Sequence, residues 1–245
     1  MSNGGAQGTR AATGGTAAAS QTLSRGIRIL EILADASSPL TIDEVAAELG
    51  VHRSNAYRLL RTLEEHGLVG RDSAGRLALG ARMASLAAGV AHDLQAEALP
   101  ELTTVANELG MTCFLAIRDH DMCTTLASIE PRHAVASVAQ RPGASHPITV
   151  GAPGKAIVAQ LPRSEWPDGM SHALRAEVEK IAAAGYATSH NEVIPSVQSV
   201  AVPLALRGRQ PAAIAVVHVA PTLDVERIVE HLGRSAAAIK GALGG

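Results

Sequence analysis

Between residues 41 and 79 the apolar positions follow two helical repeats and then a strand repeat. Ala56, Leu59, Leu60 and Leu63 recur at i, i+3, i+4 and i+7, so a helix over residues 51–63 gathers them on one face. Ser54, Tyr57, Arg58 and Arg61 share the other. Upstream, Thr41-Ile42-Asp43-Glu44 has the form of a capping box. Ile42, Val45, Ala46 and Leu49 make the apolar face of that shorter helix, and Gly50 stands where a left-handed residue ends a helix cheaply. Two helices joined by so short a turn form a helix-turn-helix unit with the second helix as reader. His66-Gly67 closes the reader. Residues 68–71 and 76–79 then read as short strands around the turn Asp72-Ser73-Ala74-Gly75, a wing carrying Arg71 and Arg76. Taken alone, the second helix could be a solvated amphipathic helix. The ordered set favours a DNA reader, because arginine, hydroxyl and amide groups meet base edges and phosphates in a major groove.

On either side of this module the pattern predicts further elements. Leu23, Ile27, Leu30 and Leu33 give a helix over residues 22–36, its stripe widened by Ile29 and Ile32 and stopped by Ser38-Pro39. Residues 80–94 read as a helix with Met83, Leu86, Ala87 and Val90 on one side, and the low charge implies burial of more than one face. Leu99, Leu102, Val105, Ala106 and Leu109 predict another over residues 96–109. Pro100 is tolerated only near a first turn, which implies a late start. After Gly110 the period shortens. Strands are expected at 112–118 and 122–129 around Asp119-His120-Asp121, at 133–138, and as a closing pair at 197–206 and 212–219. Helices are expected near 152–160, 172–184 and 223–242. Helices segregated from an antiparallel sheet define an α+β fold.

Composition narrows the function. The chain has 245 residues and a formal net charge of -2, so there is no global basic signature. Any nucleic-acid affinity must come from local placement, and Arg53, Arg58, Arg61, Arg71 and Arg76 do lie in one module. Residues 1–20 are almost wholly small or polar, with Arg10 the one charge, and a disordered tail is expected there. No apolar run is long enough for a membrane span and no signal-peptide pattern opens the chain, so a cytoplasmic location is expected. Cys113 and Cys123, each in an apolar stretch, read as reduced core thiols.

Enzyme readings find little support. The histidines never fall at i, i+4, and no Cys-x-x-Cys, His-x-His or Gly-x-Ser-x-Gly occurs, so no catalytic residue, metal or cofactor is expected. Asp119-His120-Asp121 reads as a hairpin turn. Glu64-Glu65 and the pair Glu177 and Glu179 read as solvated helix faces. The stretch Gly151-Ala152-Pro153-Gly154-Lys155-Ala156 invites comparison with a P-loop, but Thr149 stands where the first glycine belongs and Ala156 where a hydroxyl belongs. What remains is a glycine-containing turn that opens a helix. Its free amides could hold an anion such as a carboxylate, or it could be a tight turn with no ligand.

The chain resembles the IclR family of bacterial transcriptional regulators. The likeness is carried by Leu23-Ser24-Arg25-Gly26-Ile27-Arg28-Ile29-Leu30-Glu31-Ile32-Leu33, by Leu49-Gly50-Val51-His52-Arg53-Ser54-Asn55-Ala56-Tyr57-Arg58-Leu59-Leu60, by Leu63-Glu64-Glu65-His66-Gly67-Leu68-Val69 and by residues 147–156. The resemblance implies a winged helix-turn-helix domain at 21–79 behind the tail at 1–20, a linker helix at 80–94, and a GAF-like antiparallel-sheet domain at 95–245 that binds a small organic effector, expected to contain a carboxylate, and so modulates operator binding; a purely structural second domain, or an enzyme in it, is the alternative. It implies a homodimer, or a dimer of dimers, on a near-palindromic operator in double-stranded DNA, with the first helix and the linker helping to form the dimer. DNA contacts would fall on His52, Arg53, Ser54, Asn55, Tyr57, Arg58, Arg61, Arg71 and Arg76. Effector contacts would fall on Gly151, Ala152, Pro153, Gly154, Ser189, Ser199, Val217 and Val219. Several members carry an acid, a thiol and two hydroxyls at the last four places. Two serines and two valines here argue for a larger or more apolar ligand than a two-carbon acid. A register shifted by one in the last strand would turn His218 inward instead of Val217 and Val219.

Overall fold

The computed structural model describes residues 20–133, 138–219 and 224–244. Two compact units divide between Val90 and Ala91. In the first, α1 (Gln21–Asp35) begins at Ser20, whose hydroxyl accepts the Leu23 N–H at 3.4 Å. The capping box at α2 (Ile42–Leu49) is complete: Thr41 Oγ1 accepts the Glu44 N–H at 3.3 Å, and Glu44 Oε2 accepts the Thr41 N–H at 2.7 Å. The bond from the Thr41 N–H and a second from its hydroxyl hold the Glu44 carboxyl below its ordinary range. Gly50, at φ +66°, ends the helix. Then come α3 (Arg53–Glu65), the wing strands β1 (Val69–Arg71) and β2 (Leu77–Leu79), and α4 (Arg82–Ala88). Leu40 adds a bridge to the wing by exchanging backbone hydrogen bonds with Leu77. Ile29, Leu33, Val45, Leu60, Val69 and Leu77 form the core of this unit.

The second unit runs α5 (His92–Leu109), β3 (Thr112–Asp119), β4 (Met122–Ile129), β5 (Ser145–Pro147), α6 (Gly151–Val158), α7 (His172–Ala184), β6 (Ala187–His190), β7 (Gln198–Leu204), β8 (Ala212–His218) and α8 (Val225–Ala242). Its strands form one antiparallel sheet in the order β5-β4-β3-β8-β7-β6. Leu115, Val200, Ile214 and Val216 project from one face to pack with Leu102 of α5 and Ile228 and Leu232 of α8. The other face is lined by Ala201, Ala213 and Ala215, small enough to let α6 approach closely with Ala152, Ala156 and Ile157. The class is α+β, as predicted. Cys113 and Cys123 are free thiols in the packing of opposite faces.

Several expectations need correction. The stripe assigned to α1 is rotated: Leu23 and Ile27 are 64% and 49% exposed, while Ile29, Ile32 and Leu33 turn inward. Aliphatic residues lie on more than one side of this helix, and only the side reaching Val45 and Leu60 is covered within the unit. The helix expected at 80–94 is interrupted at Gly89, Val90 and Ala91, the last at φ +44°, and α5 already starts at His92. Pro100 therefore lies inside α5 and not near its first turn. Burial of Ala98, Leu102, Val105 and Ala106 outweighs the one hydrogen bond that its missing N–H removes. Two short edge strands, β5 and β6, were not expected. The strand expected at 133–138 falls mostly outside the described residues, as do residues 1–19 of the expected tail and the Leu223 start of the last helix.

Candidate functional site

The first site is the outer face of α3. Ala56 and Leu60 are fully buried beneath it, which fixes its rotation and leaves Ser54, Tyr57, Arg58 and Arg61 exposed. His52 is the N-cap: the Ser54 N–H donates to its Nδ1 at 3.3 Å. The side chains of this face are steered by neighbours. Arg58 Nη2 donates to Asn55 Oδ1 at 2.6 Å, and Arg61 Nε donates to Glu65 Oε1 at 3.0 Å. Arg53 Nη1 reaches Asp43 Oδ2 on α2. The wing arginines differ in availability. Arg71 turns back to Glu64 and to the Gly75 carbonyl, bracing the hairpin, whereas Arg76 donates to the Pro39 carbonyl at 3.2 Å and stays exposed. The structure thus brings all nine sequence-predicted residues into one module, with Arg71 tied down most firmly.

The second site is a cleft of about 40 Å³ beside the start of α6. Gly151, Pro153, Ser189, Ser199 and Val217, all among the residues singled out from the sequence, line it. Ala152 instead packs into the core, and Gly154 is pressed against the backbone, where a Cβ would come within 2.4 Å of the Ile148 carbonyl oxygen. Val219 lies past the end of β8 and is 49% exposed. The register keeps Val217 on the cleft side, paired with Ser199, and puts His218 on the opposite face. Unforeseen walls come from Phe114, Gln140, His146 and the stretch Glu192, Val193, Ile194 and Val197.

The free amides expected at this turn are already taken. The Gly151 N–H donates to Glu192 Oε2 at 2.9 Å and the Ala152 N–H to Ser189 Oγ at 3.0 Å, while Pro153 has none to offer. Behind them Lys155, 2% exposed, places Nζ 2.6 Å from Glu177 Oε1 and 2.7 Å from Glu192 Oε1. Glu177 is therefore not merely part of a solvated helix face, and Glu179 pairs with Arg163. Ser199 spends its hydroxyl on the Val216 carbonyl at 2.9 Å. Glu192 was missed because an acid in an irregular polar stretch carries no periodic signal. A lysine in the middle of an otherwise apolar helix was the available hint, since a buried ammonium demands carboxylate partners.

A capped helix-turn-helix with an arginine-bearing reader and a short wing, followed by an antiparallel-sheet unit with its own cleft, defines a DNA-binding transcriptional regulator. The chain belongs to the IclR family: residues 22–73 match the IclR helix-turn-helix domain, and residues 87–171 match the bacterial transcriptional regulator IclR C-terminal domain. It is 30% identical to the glycerol operon regulatory protein of Streptomyces griseus over 85% of this chain and 86% of that protein. It is 32% identical to a helix-turn-helix transcriptional regulator of Mycobacterium tuberculosis over 58% of this chain, a match that spans 55% of that relative. The solved structure of an IclR homologue from Microbacterium hydrocarbonoxydans, complexed with 4-hydroxybenzoate, shares the fold. Its TM-score is 0.79 at 24% identity, over 91% of this chain and 99% of that one. Among the described residues no helix is long and apolar enough to cross a membrane.

Proposed function

We propose that residues 21–79 read a near-palindromic operator as a homodimer in the cytoplasm, and that residues 95–245 bind a small organic effector that modulates this reading. Residues 80–94 would be the connection. The observation that carries the DNA assignment is the division of α3 into a buried Ala56 and Leu60 side and an exposed Tyr57, Arg58 and Arg61 side. Such a helix can be laid in a major groove without disturbing its own core. His52, Arg53, Ser54 and Asn55 would approach from its first turn, and Arg76 of the wing would meet flanking phosphates.

The effector would occupy the cleft. Its apolar walls, Phe114, Pro153 and Val217 among them, favour a ligand with an apolar body. The cleft is narrow, about 40 Å³, and Glu192, Val193, Ile194 and Val197 of the loop at 191–197 wall it, so outward movement of that loop would enlarge it for a ligand. Val193 and Ile194 of that loop are 46% and 38% exposed, and Asn191 and Ser196 near its ends sit at φ +60° and +63°. Modulation of operator binding requires two states that a ligand binds unequally, and an open and a closed form of this loop would supply them. The bound 4-hydroxybenzoate of the Microbacterium homologue is consistent with a ligand site in this domain.

Nuclease footprinting on the DNA upstream of the protein's own gene tests the proposal. Protection of two half-sites about one helical turn apart, altered by a small molecule in the unsubstituted protein but not in a Val217→Trp variant with a filled cleft, is the expected result. Protection without sequence preference would contradict it.

A further inference from the structure

We propose that His146 reads a hydroxyl on the effector, accepting a hydrogen bond from it at Nε2, so that the cleft selects hydroxyl-bearing organic acids over the same acids without the hydroxyl. This rests on the reading of the cleft as the effector site. His146 is the middle residue of β5 and pairs with Cys123 of β4. Directly opposed residues share a face of a sheet, and Cys123 packs on the side covered by α6. The imidazole is therefore carried to that side, where it stands in the wall of the cleft. Its Nδ1 lies 3.0 Å from the Pro147 carbonyl oxygen. A carbonyl can only accept, so Nδ1 carries the proton, and in the neutral ring Nε2 is left as an acceptor. Among the described residues no hydrogen bond reaches Nε2.

The position of the ring makes that acceptor available to a ligand. A Cβ on Gly151 would lie 3.3 Å from His146 Cε1 and 3.7 Å from its Nε2, and 2.9 Å from Val193 Cγ2. The nitrogen-bearing edge of the ring and the loop at 191–197 thus converge over Gly151, and outward movement of the loop would uncover Nε2. Other polar groups of the wall are already engaged. Gln140 Nε2 donates to Thr125 Oγ1 at 2.7 Å and the Ser199 hydroxyl to the Val216 carbonyl at 2.9 Å, while Glu192 accepts the Gly151 N–H and the Lys155 ammonium. A hydroxyl enclosed by Phe114, Pro153 and Val217 with no partner would be costly to desolvate, and a bond to Nε2 removes that cost. A ligand without the hydroxyl leaves Nε2 unpaired and binds less tightly. The contact is additional to any made by the acid group expected on the effector.

The test uses the full-length protein and two acids that differ by one hydroxyl, 4-hydroxybenzoate and benzoate, with dissociation constants measured by isothermal titration calorimetry. The unsubstituted protein should bind 4-hydroxybenzoate about tenfold or more tightly than benzoate. His146→Phe keeps a planar ring and removes the acceptor. It should lose most of that preference, through weaker binding of 4-hydroxybenzoate with benzoate little changed. His146→Leu gives the same reading should the phenylalanine variant not fold, and His146→Gln, which restores an acceptor, should recover part of the preference. Equal binding of the two acids by the unsubstituted protein, or a preference retained in the phenylalanine and leucine variants, overturns the assignment of His146 and leaves the effector reading standing. If neither acid binds, or if a Val217→Trp variant with a filled cleft binds both as tightly as the parent, the effector reading falls and the proposal falls with it.

Discussion

Arg53 Nη1 lies 2.9 Å from Asp43 Oδ2, tying the first residue of α3 to the first turn of α2. Both side chains are more than 60% exposed, at 63% and 64%, so the pair adds only about 0–1 kcal/mol to stability. Its consequence is positional and electrostatic. Asp43 restrains Arg53 and also sets a negative charge beside the groove-facing surface. Asp43→Asn should leave the melting temperature nearly unchanged and tighten non-specific DNA binding about 2- to 5-fold at low salt, with a steeper salt dependence. Fluorescence anisotropy over a salt series measures both.

Leu60 holds the reader in its rotation. It is fully buried with Ile29, Val45 and Leu77, and Leu60→Ala should cost about 2–5 kcal/mol. Denaturant unfolding followed by circular dichroism should show the loss, and operator affinity should fall with it. A variant as stable as the parent would mean that α3 is seated otherwise.

These two residues also show what the amino-acid order discloses. The α3 face rests on a helical repeat, the capping box on the Thr41–Glu44 motif, and β3, β4, β7 and β8 on apolar runs bounded by turn residues, and each formed close to where those signals placed it. β5 has three residues, Ser145, His146 and Pro147, and no two-residue alternation can be read from so few. α1 carries aliphatics on several sides, so periodicity alone could not choose Ile29 over Ile27. In the cleft, the strand residues Ser189, Ser199 and Val217 were legible through the family pattern. Glu192 and Val193 were not, because their place depends on how an irregular loop folds back over α6.

Gly154 is required by close packing. A Cβ there would come within 2.4 Å of the Ile148 oxygen and 2.9 Å of its carbonyl carbon, and backbone cannot step aside as a flexible side chain can. Gly154→Ala should destabilise the second unit by about 2 kcal/mol or more and abolish any ligand response. Thermal unfolding with and without ligand checks this, and an alanine variant with parental stability would contradict it.

Both thiols should be inert in the native protein. Burial raises Cys113 well above the ordinary thiol range and pushes Cys123 up to about 12. A raised value means the folded state favours the neutral thiol. Its contribution to stability is complete below the ordinary value of about 8.5 and declines as pH rises from there toward about 12. Iodoacetamide at pH 8 should label neither cysteine until denaturant is added, and rapid labelling of the native protein would contradict the packing described.

The most direct test of the central claim is the affinity of Arg58→Ala for DNA from the protein's own promoter region. Arg58 lies on the exposed face of α3, and among the described residues its guanidinium is hydrogen-bonded to Asn55 on that same face, so its loss should leave the melting temperature unchanged. If that face reads DNA, specific binding should weaken by about 1–3 kcal/mol, roughly tenfold or more. Unchanged affinity in a folded variant would contradict the assignment of α3 as the reader.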